Sequence, residues 1–164
     1  MKIAIVPGSF DPMTKGHINI IERSATLFDK VFVAVMINSA KKYMFSQEER
    51  TEIARRSLAH LDNVEVIFDG GMLADLAFRL DACAIVKGIR DEKDYLYEFE
   101  MAQFNSRKNP KVQTVFLPCD DGAREISSTA VRVKLDSNQD ISDIVSPRVV
   151  DYINQQYKNS RPQN

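Results

Sequence analysis

The sequence predicts a single-domain α/β fold: a parallel five-stranded sheet with helices on both faces and a helical C-terminal segment. Three observations lead there. Short runs rich in Val and Ile alternate with longer segments of helical spacing, and that rhythm implies βαβ crossovers. The length of 164 residues suits one domain with a sizeable core. Composition is that of an ordinary globular chain, with 44% hydrophobic and 27% charged residues. This excludes collagen-like, low-complexity and disordered chains.

The elements follow in order. Residues 3–6, 31–37, 64–68, 84–87 and 115–117 read as buried strands, because each is short, β-branched and bounded by turn residues. Residues 16–28 place Ile20, Ile21, Ser24, Ala25 and Phe28 on one helical face. Residues 46–61 open with Ser46-x-x-Glu49, a capping box, and continue with Ile53, Ser57 and Leu61. Residues 72–80 form a short apolar helix and 93–107 a long one. The last third departs from the alternation. One helix is expected near Ser128 and another near Ser146-Pro147, with Ser146 as N-cap and Pro147 in the first turn. The domain is expected to span residues 1–157, with 158–164 a frayed tail.

Charge and cysteine content narrow the function. Lys plus Arg is 22 against 23 Asp plus Glu, a net charge of -1. No global field attracts nucleic acid or an anionic membrane, so neither is an expected partner. No stretch approaches a membrane span, and the opening apolar run is too short for a signal peptide. Cys83 and Cys119 stand apart, outside any zinc-ligand spacing, which predicts a reduced, cytoplasmic chain. No metal ligation by protein side chains is expected.

Ligands of open α/β sheets bind at the carboxyl ends of the strands. After the first strand comes Pro7-Gly8-Ser9-Phe10-Asp11-Pro12, running to Gly16-His17 at a helix start. It fits neither GxGxxG nor a P-loop. Gly8 would let backbone approach a ligand, and Ser9 offers a hydroxyl. At a helix N-terminus the protonated form of His17 is disfavoured. It reads equally as a neutral hydrogen-bond donor or as a simple helix cap. Lys41-Lys42 follow the second strand and read as a solvated loop or as phosphate ligands. Lys87-Gly88-Ile89-Arg90 follow the fourth, a surface turn or a second phosphate site with Gly88 allowing close approach.

In the next helix Asp94, Tyr97, Glu98, Met101 and Asn105 form a polar-aromatic stripe that suits a pocket wall. Tyr95, Phe99 and Ala102 mark a second, apolar face, which suits burial or an interface. Ser127, Ser128 and Thr129 give three hydroxyls where one would cap, so the surplus points to an anion site with Arg132 one turn on. Two helix starts and several cations at one sheet edge suit a polyphosphate and transfer by positioning and charge neutralisation.

Thr14-x-Gly16-His17 with Ile126-Ser127-Ser128-Thr129 resembles the paired signatures of the adenylyl- and cytidylyltransferase superfamily. The segment 7–12, Lys41-Lys42 before Phe45, Lys87-Gly88-Ile89-Arg90 and Tyr97-Glu98 resemble the bacterial phosphopantetheine adenylyltransferases over residues 2–152. The resemblance implies a Rossmann-like fold and adenylyl transfer from ATP to 4′-phosphopantetheine. The products are dephospho-coenzyme A and pyrophosphate, by in-line attack without a covalent enzyme intermediate.

It implies catalytic roles for His17, Lys41 and Arg90. On the phosphopantetheine side it places Ser9, Lys41, Leu73, Lys87 and Asn105. On the ATP side it places Ser9, Phe10, His17, Gly88, Ile89, Arg90 and Glu98, with Ala123, Arg124, Glu125, Ile126, Ser127, Ser128 and Thr129. It also implies magnesium bound with ATP, a homohexamer, and coenzyme A as feedback inhibitor. Lys87 stands where the family usually has arginine, which exchanges a bidentate fork for a point charge and implies weaker phosphopantetheine affinity. The competing readings are a nucleotidyltransferase of the same fold acting on nicotinate mononucleotide or a phospho-alcohol, and a non-catalytic nucleotide or coenzyme A sensor.

Overall fold

The structure is a computed structural model that describes residues 1–120, 122 and 125–160. Five strands form one parallel sheet: β1 (Ile3–Gly8), β2 (Lys30–Met36), β3 (Val64–Asp69), β4 (Ala84–Ile89) and β5 (Gln113–Pro118). Their order is β3-β2-β1-β4-β5, so the direction of winding reverses between β1 and β4. That reversal is where an open sheet of this kind leaves a crevice for a ligand.

The helices are α1 (Lys15–Leu27), α2 (Gln47–Ser57), α3 (Leu73–Arg79), α4 (Glu92–Lys108), α5 (Ser128–Asp136) and α6 (Val150–Asn159). The period-two alternation of strand side chains divides the core. Ala4, Val6, Val31, Val33, Val35, Ala84 and Val86 face one layer. There they meet Ile20 and Ile21 of α1, Ile53 of α2, Val131 of α5 and Ile153 of α6. Ile5, Ala34 and Ile85 face the other layer, against Leu76 and Ala77 of α3. Helices therefore cover both faces, as the alternating sequence predicts. α4 packs along α3, β4 and β5, yet Asn105 is its one buried residue.

Element ends follow local chemistry. The capping box of α2 forms: Glu49 N–H donates to Ser46 Oγ at 3.2 Å, and Ser46 N–H donates to Glu49 Oε2 at 2.7 Å. The helix stops at Ser57 rather than Leu61, because Leu61 N–H turns back to Leu58 C=O. The last helix starts at Val150, not at Ser146-Pro147. Ser146 instead closes a turn: its C=O accepts from Val149 N–H and its Oγ from Arg148 N–H. α6 then runs through Lys158 to Asn159, while residues 161–164 of the expected tail lie outside the described residues.

Ile153 is fully buried and carries the contact of α6 with the larger core layer. Ile153→Ala should lower unfolding stability by about 2–4 kcal/mol, the cost of a buried aliphatic truncation. Urea titration followed by circular dichroism measures it, and a loss below about 1 kcal/mol would show that the site collapses or that α6 is not integral.

Candidate active site

A cleft of about 950 Å³ opens at the carboxyl ends of β1 and β4. Ser9, Phe10, His17, Lys41, Leu73, Lys87, Gly88, Arg90, Glu98, Asn105, Ile126, Ser127, Ser128 and Thr129 all line it. Ile89 and Glu125 are not among its lining residues, and Ala123 and Arg124 lie outside the described residues. The α4 stripe of Asp94, Tyr97, Glu98, Met101 and Asn105 forms one wall, as its spacing predicts.

His17 sits in the first turn of α1 and is part of its cap. Thr14 N–H donates to His17 Nδ1 at 3.0 Å, and His17 N–H donates to Thr14 Oγ1 at 3.4 Å. Capping and function are therefore not alternatives here. Because a backbone N–H occupies the Nδ1 lone pair, the neutral ring carries its proton on Nε2. The His17 pKa is pushed down from 6.5 to about 4, first by burial, then by the positive charges of Arg90 and Lys87. The sequence predicts a neutral ring from its place at a helix start; the structure adds burial, and after it the two cations, in the same direction. Phe10 packs edge-on against the imidazole at 5.1 Å between centroids.

Phe10 adopts φ 46, a left-handed conformation uncommon for a bulky residue. The turn folds its ring back over Gly8, where a Cβ would come within 2.8 Å of the ring. Gly8 thus makes room for Phe10, and it also lines the cleft. Gly88 is similar: a Cβ there would meet Ile20 Cγ1 at 2.9 Å and Cys119 Sγ at 3.2 Å. Its smallness lets α1 press against β4.

The cations of the fourth strand end are matched by carboxylates from α4. Lys87 Nζ lies 2.9 Å from Glu98 Oε1. Arg90 forks onto Asp94, with Nε at 2.8 Å and Nη2 at 3.2 Å from its two oxygens. This pairing raises the Arg90 pKa and lowers that of Asp94. Lys41 and Lys42 are exposed on the cleft rim.

The three hydroxyls at the start of α5 each find a protein partner, so their surplus does not by itself signal an anion site. Ser127 Oγ accepts from Ala130 N–H as the helix cap. Ser128 Oγ donates to Pro12 C=O at 2.8 Å. Thr129 Oγ1 accepts from Arg132 at 3.1 Å. These contacts bind α5 to the segment after β1, and the first turn of α5, where backbone N–H groups lack intrahelical partners, lines the cleft.

Two further residues organise the site and were not singled out from the sequence. The buried carboxylate of Asp11 accepts N–H groups of Met44 at 2.9 Å and Phe45 at 3.0 Å, while its C=O accepts from Arg132 at 2.7 Å. Arg50 is 1% exposed and donates to the carbonyls of Ser9 and Met36. Its signal was in the sequence: Arg50 shares a helical face with Ile53, Ala54 and Ser57, so a charge stood at a core position.

A nitrogen-15 titration of the two histidines, assigned with His17→Gln, should show His17 with its midpoint near 4 and an Nε2–H tautomer above it. The native state then binds fewer protons than the unfolded chain between pH 4 and 6.5. The stability this contributes is full above 6.5 and is lost as pH falls toward 4. A midpoint near 6.5 would mean that the ring is hydrated and the cations are distant.

Comparison with known proteins shows the family. The cytidylyltransferase-like family profile matches residues 5–134. A phosphopantetheine adenylyltransferase of Caldanaerobacter subterraneus subsp. tengcongensis is 41% identical over 160 residues, covering 98% of this chain and 100% of that protein. Another, from Desulfosudis oleivorans, is 46% identical over 153 residues, covering 92% and 89%. A solved structure of a Vibrio parahaemolyticus protein, provisionally called a nicotinate-nucleotide adenylyltransferase, shares the fold. Its TM-score is 0.70 at 22% identity, over 93% of this chain and 99% of that one. The chain belongs to the bacterial phosphopantetheine adenylyltransferases, within the cytidylyltransferase-like superfamily.

Proposed function

We propose that the cleft aligns ATP and 4′-phosphopantetheine for a direct in-line transfer in which His17 stabilises the transition state. The chain catalyses adenylyl transfer from ATP to 4′-phosphopantetheine, forming dephospho-coenzyme A as in coenzyme A biosynthesis. An oxygen of the acceptor phosphate bonds to the α-phosphorus, and the bond from that phosphorus to the bridging oxygen breaks. Pyrophosphate leaves with the electron pair. Such a reaction needs positioning and charge neutralisation more than an enzyme nucleophile.

The observation that carries this reading is the neutral His17 with its proton on Nε2. That proton is available to an α-phosphate oxygen as charge builds there. Lys41 would bridge the reacting phosphates, and Ser9 would hold the acceptor phosphate. Leu73, Lys87 and Asn105 line the proposed phosphopantetheine side. Phe10, Gly88, Arg90 and Glu98 with 126–129 line the proposed ATP side; Ile89 and Glu125 would act from outside the cleft lining. The charges of Lys87 and Arg90 are held in place by Glu98 and Asp94, from which phosphate would draw them.

Magnesium would arrive on the triphosphate and neutralise its charge. The donor set suits this: among the described cleft carboxylates Asp94 and Glu98 are engaged with cations and Asp11 with the Met44 and Phe45 N–H groups, leaving the ion to phosphate and water. The remaining parts of the proposal are a cytoplasmic homohexamer inhibited by coenzyme A. Assembly is supported by α4, which exposes Tyr95, Leu96, Phe99 and Phe104. Among the described residues no helix is long and apolar enough to cross a membrane.

Pyrophosphate release should be measured with ATP and magnesium plus 4′-phosphopantetheine, nicotinate mononucleotide or glycerol phosphate. Release is expected with 4′-phosphopantetheine, with dephospho-coenzyme A as product. Release with another acceptor alone would reassign the acceptor pocket, and ATP binding without release would favour a sensor. His17→Ala should lower turnover about 100- to 1000-fold, the usual cost of a lost transition-state donor, and leave ATP affinity nearly unchanged. Equal losses in both would contradict the role.

A further inference from the structure

Arg50 is not among the cleft-lining residues, yet Ser9, Met36 and Tyr43, the partners of its guanidinium, all line it. One terminal nitrogen donates to Ser9 C=O at 2.6 Å and to Met36 C=O at 3.1 Å, bridging the carboxyl ends of β1 and β2. The guanidinium carbon sits 4.1 Å from the centre of the Tyr43 ring. Tyr43 Oη in turn accepts from Asn38 N–H at 2.6 Å and donates to Asn38 C=O at 3.3 Å. Asn38 C=O also accepts from Lys41 N–H at 3.0 Å, the turn that presents Lys41. Ser9, Met36, Asn38, Lys41 and Tyr43 are all cleft residues.

The arrangement is costly for a merely structural purpose. A buried charge is normally paired. Among the described residues no carboxylate forms an ion pair with Arg50, and its Nε is buried without a partner. Two carbonyls and a ring face take the place of a counter-charge. Those groups belong to the loop that carries Ser9, the end of β2 and the segment that carries Lys41.

We infer that Arg50 is a positioning residue for the adenylyl transfer: through Ser9 C=O, and through Tyr43 and Asn38, it fixes the Ser9 loop and the Lys41 turn relative to each other. Misplacing reacting groups by about 1 Å can cost on the order of 100-fold in rate, so a clamp of this kind acts on the chemical step. The inference rests on the reaction proposed above, and on Ser9 and Lys41 touching the phosphates.

The test uses Arg50→Lys and Tyr43→Phe in the full chain. The lysine keeps the charge but loses the planar stack on Tyr43. The phenylalanine keeps the ring but loses the tether to Asn38. Hydrogen exchange of the amides of residues 38–42 should speed up at least about fivefold in both variants, because Tyr43→Phe removes both hydrogen bonds to Asn38 and Arg50→Lys removes the guanidinium that holds the ring. In both variants kcat should fall about 10- to 100-fold while KM for ATP stays within about twofold, the pattern of lost alignment. The Tm of Tyr43→Phe should stay within about 3 °C of the parent.

Unchanged exchange in either Arg50→Lys or Tyr43→Phe would overturn the clamp. Faster exchange with parental kcat in both variants would overturn its role in the reaction. So would a fall in kcat that follows Tm, with KM rising in proportion. If the parent protein releases no pyrophosphate, the proposed function fails instead, and the exchange result still decides whether Arg50 fixes the loop.

Discussion

The buried side chain of Asp11 is the constraint on which the site depends. A carboxylate out of water must be hydrogen-bonded to be tolerated. Asp11 meets that need with two backbone N–H groups of the segment before α2, and Arg132 of α5 lies 3.8 Å away. Its C=O accepts from the same arginine. One residue thus joins the turn after β1, the segment after β2 and the start of α5, which are far apart in sequence. The sheet places these segments at one edge; Asp11 and the Ser128 contact to Pro12 hold them at fixed separation.

A second consequence of this packing is electrostatic. The chain has nearly balanced charge, yet it gathers Lys41, Lys87, Arg90 and Arg132 around one cleft. Left bare, these cations would repel one another across the cleft. α4 resolves this by setting Asp94 one turn beyond Arg90 and Glu98 beside Lys87. The ion pairs keep the cations oriented while no phosphate is present. Exchange of one anion for another then involves less reorganisation than recruitment of a free side chain from solvent.

The parts of this architecture legible in the sequence are those that local periodicity and capping decide. The five strands, the Ser46 and Glu49 box and the α4 wall all follow from residue spacing within one element. What was not legible depends on partners distant in the chain. Gly8 and Gly88 read in the sequence as points of ligand approach; that their missing Cβ atoms also make room for Phe10 and for Ile20 depends on the fold. The serines of 126–129 looked surplus to capping because Pro12 and Arg132 could not be seen beside them. The start of the last helix was misplaced because Ser146 and Pro147 suit an N-terminus locally. There the preceding turn, closed by Ser146 itself, holds the chain out of the helix for one more step.

His17 shows how folding restricts chemistry to one role. An imidazole can in principle accept a proton, donate one or bind a metal. In this chain the Thr14 N–H occupies Nδ1, so no basic lone pair of the neutral ring is left for the cleft. Burial, Arg90 and Lys87 disfavour the doubly protonated ring. What remains is a single N–H donor on Nε2, neutral at physiological pH and fixed in direction by the first turn of a helix. The same two cations that would bind phosphate therefore act with burial, the larger cause, to keep the histidine neutral. A neutral donor suits a reaction in which charge accumulates on a phosphate oxygen and no proton has to leave the acceptor. The capping box, a feature of helix stability, is thereby also what excludes His17 from acting as a base.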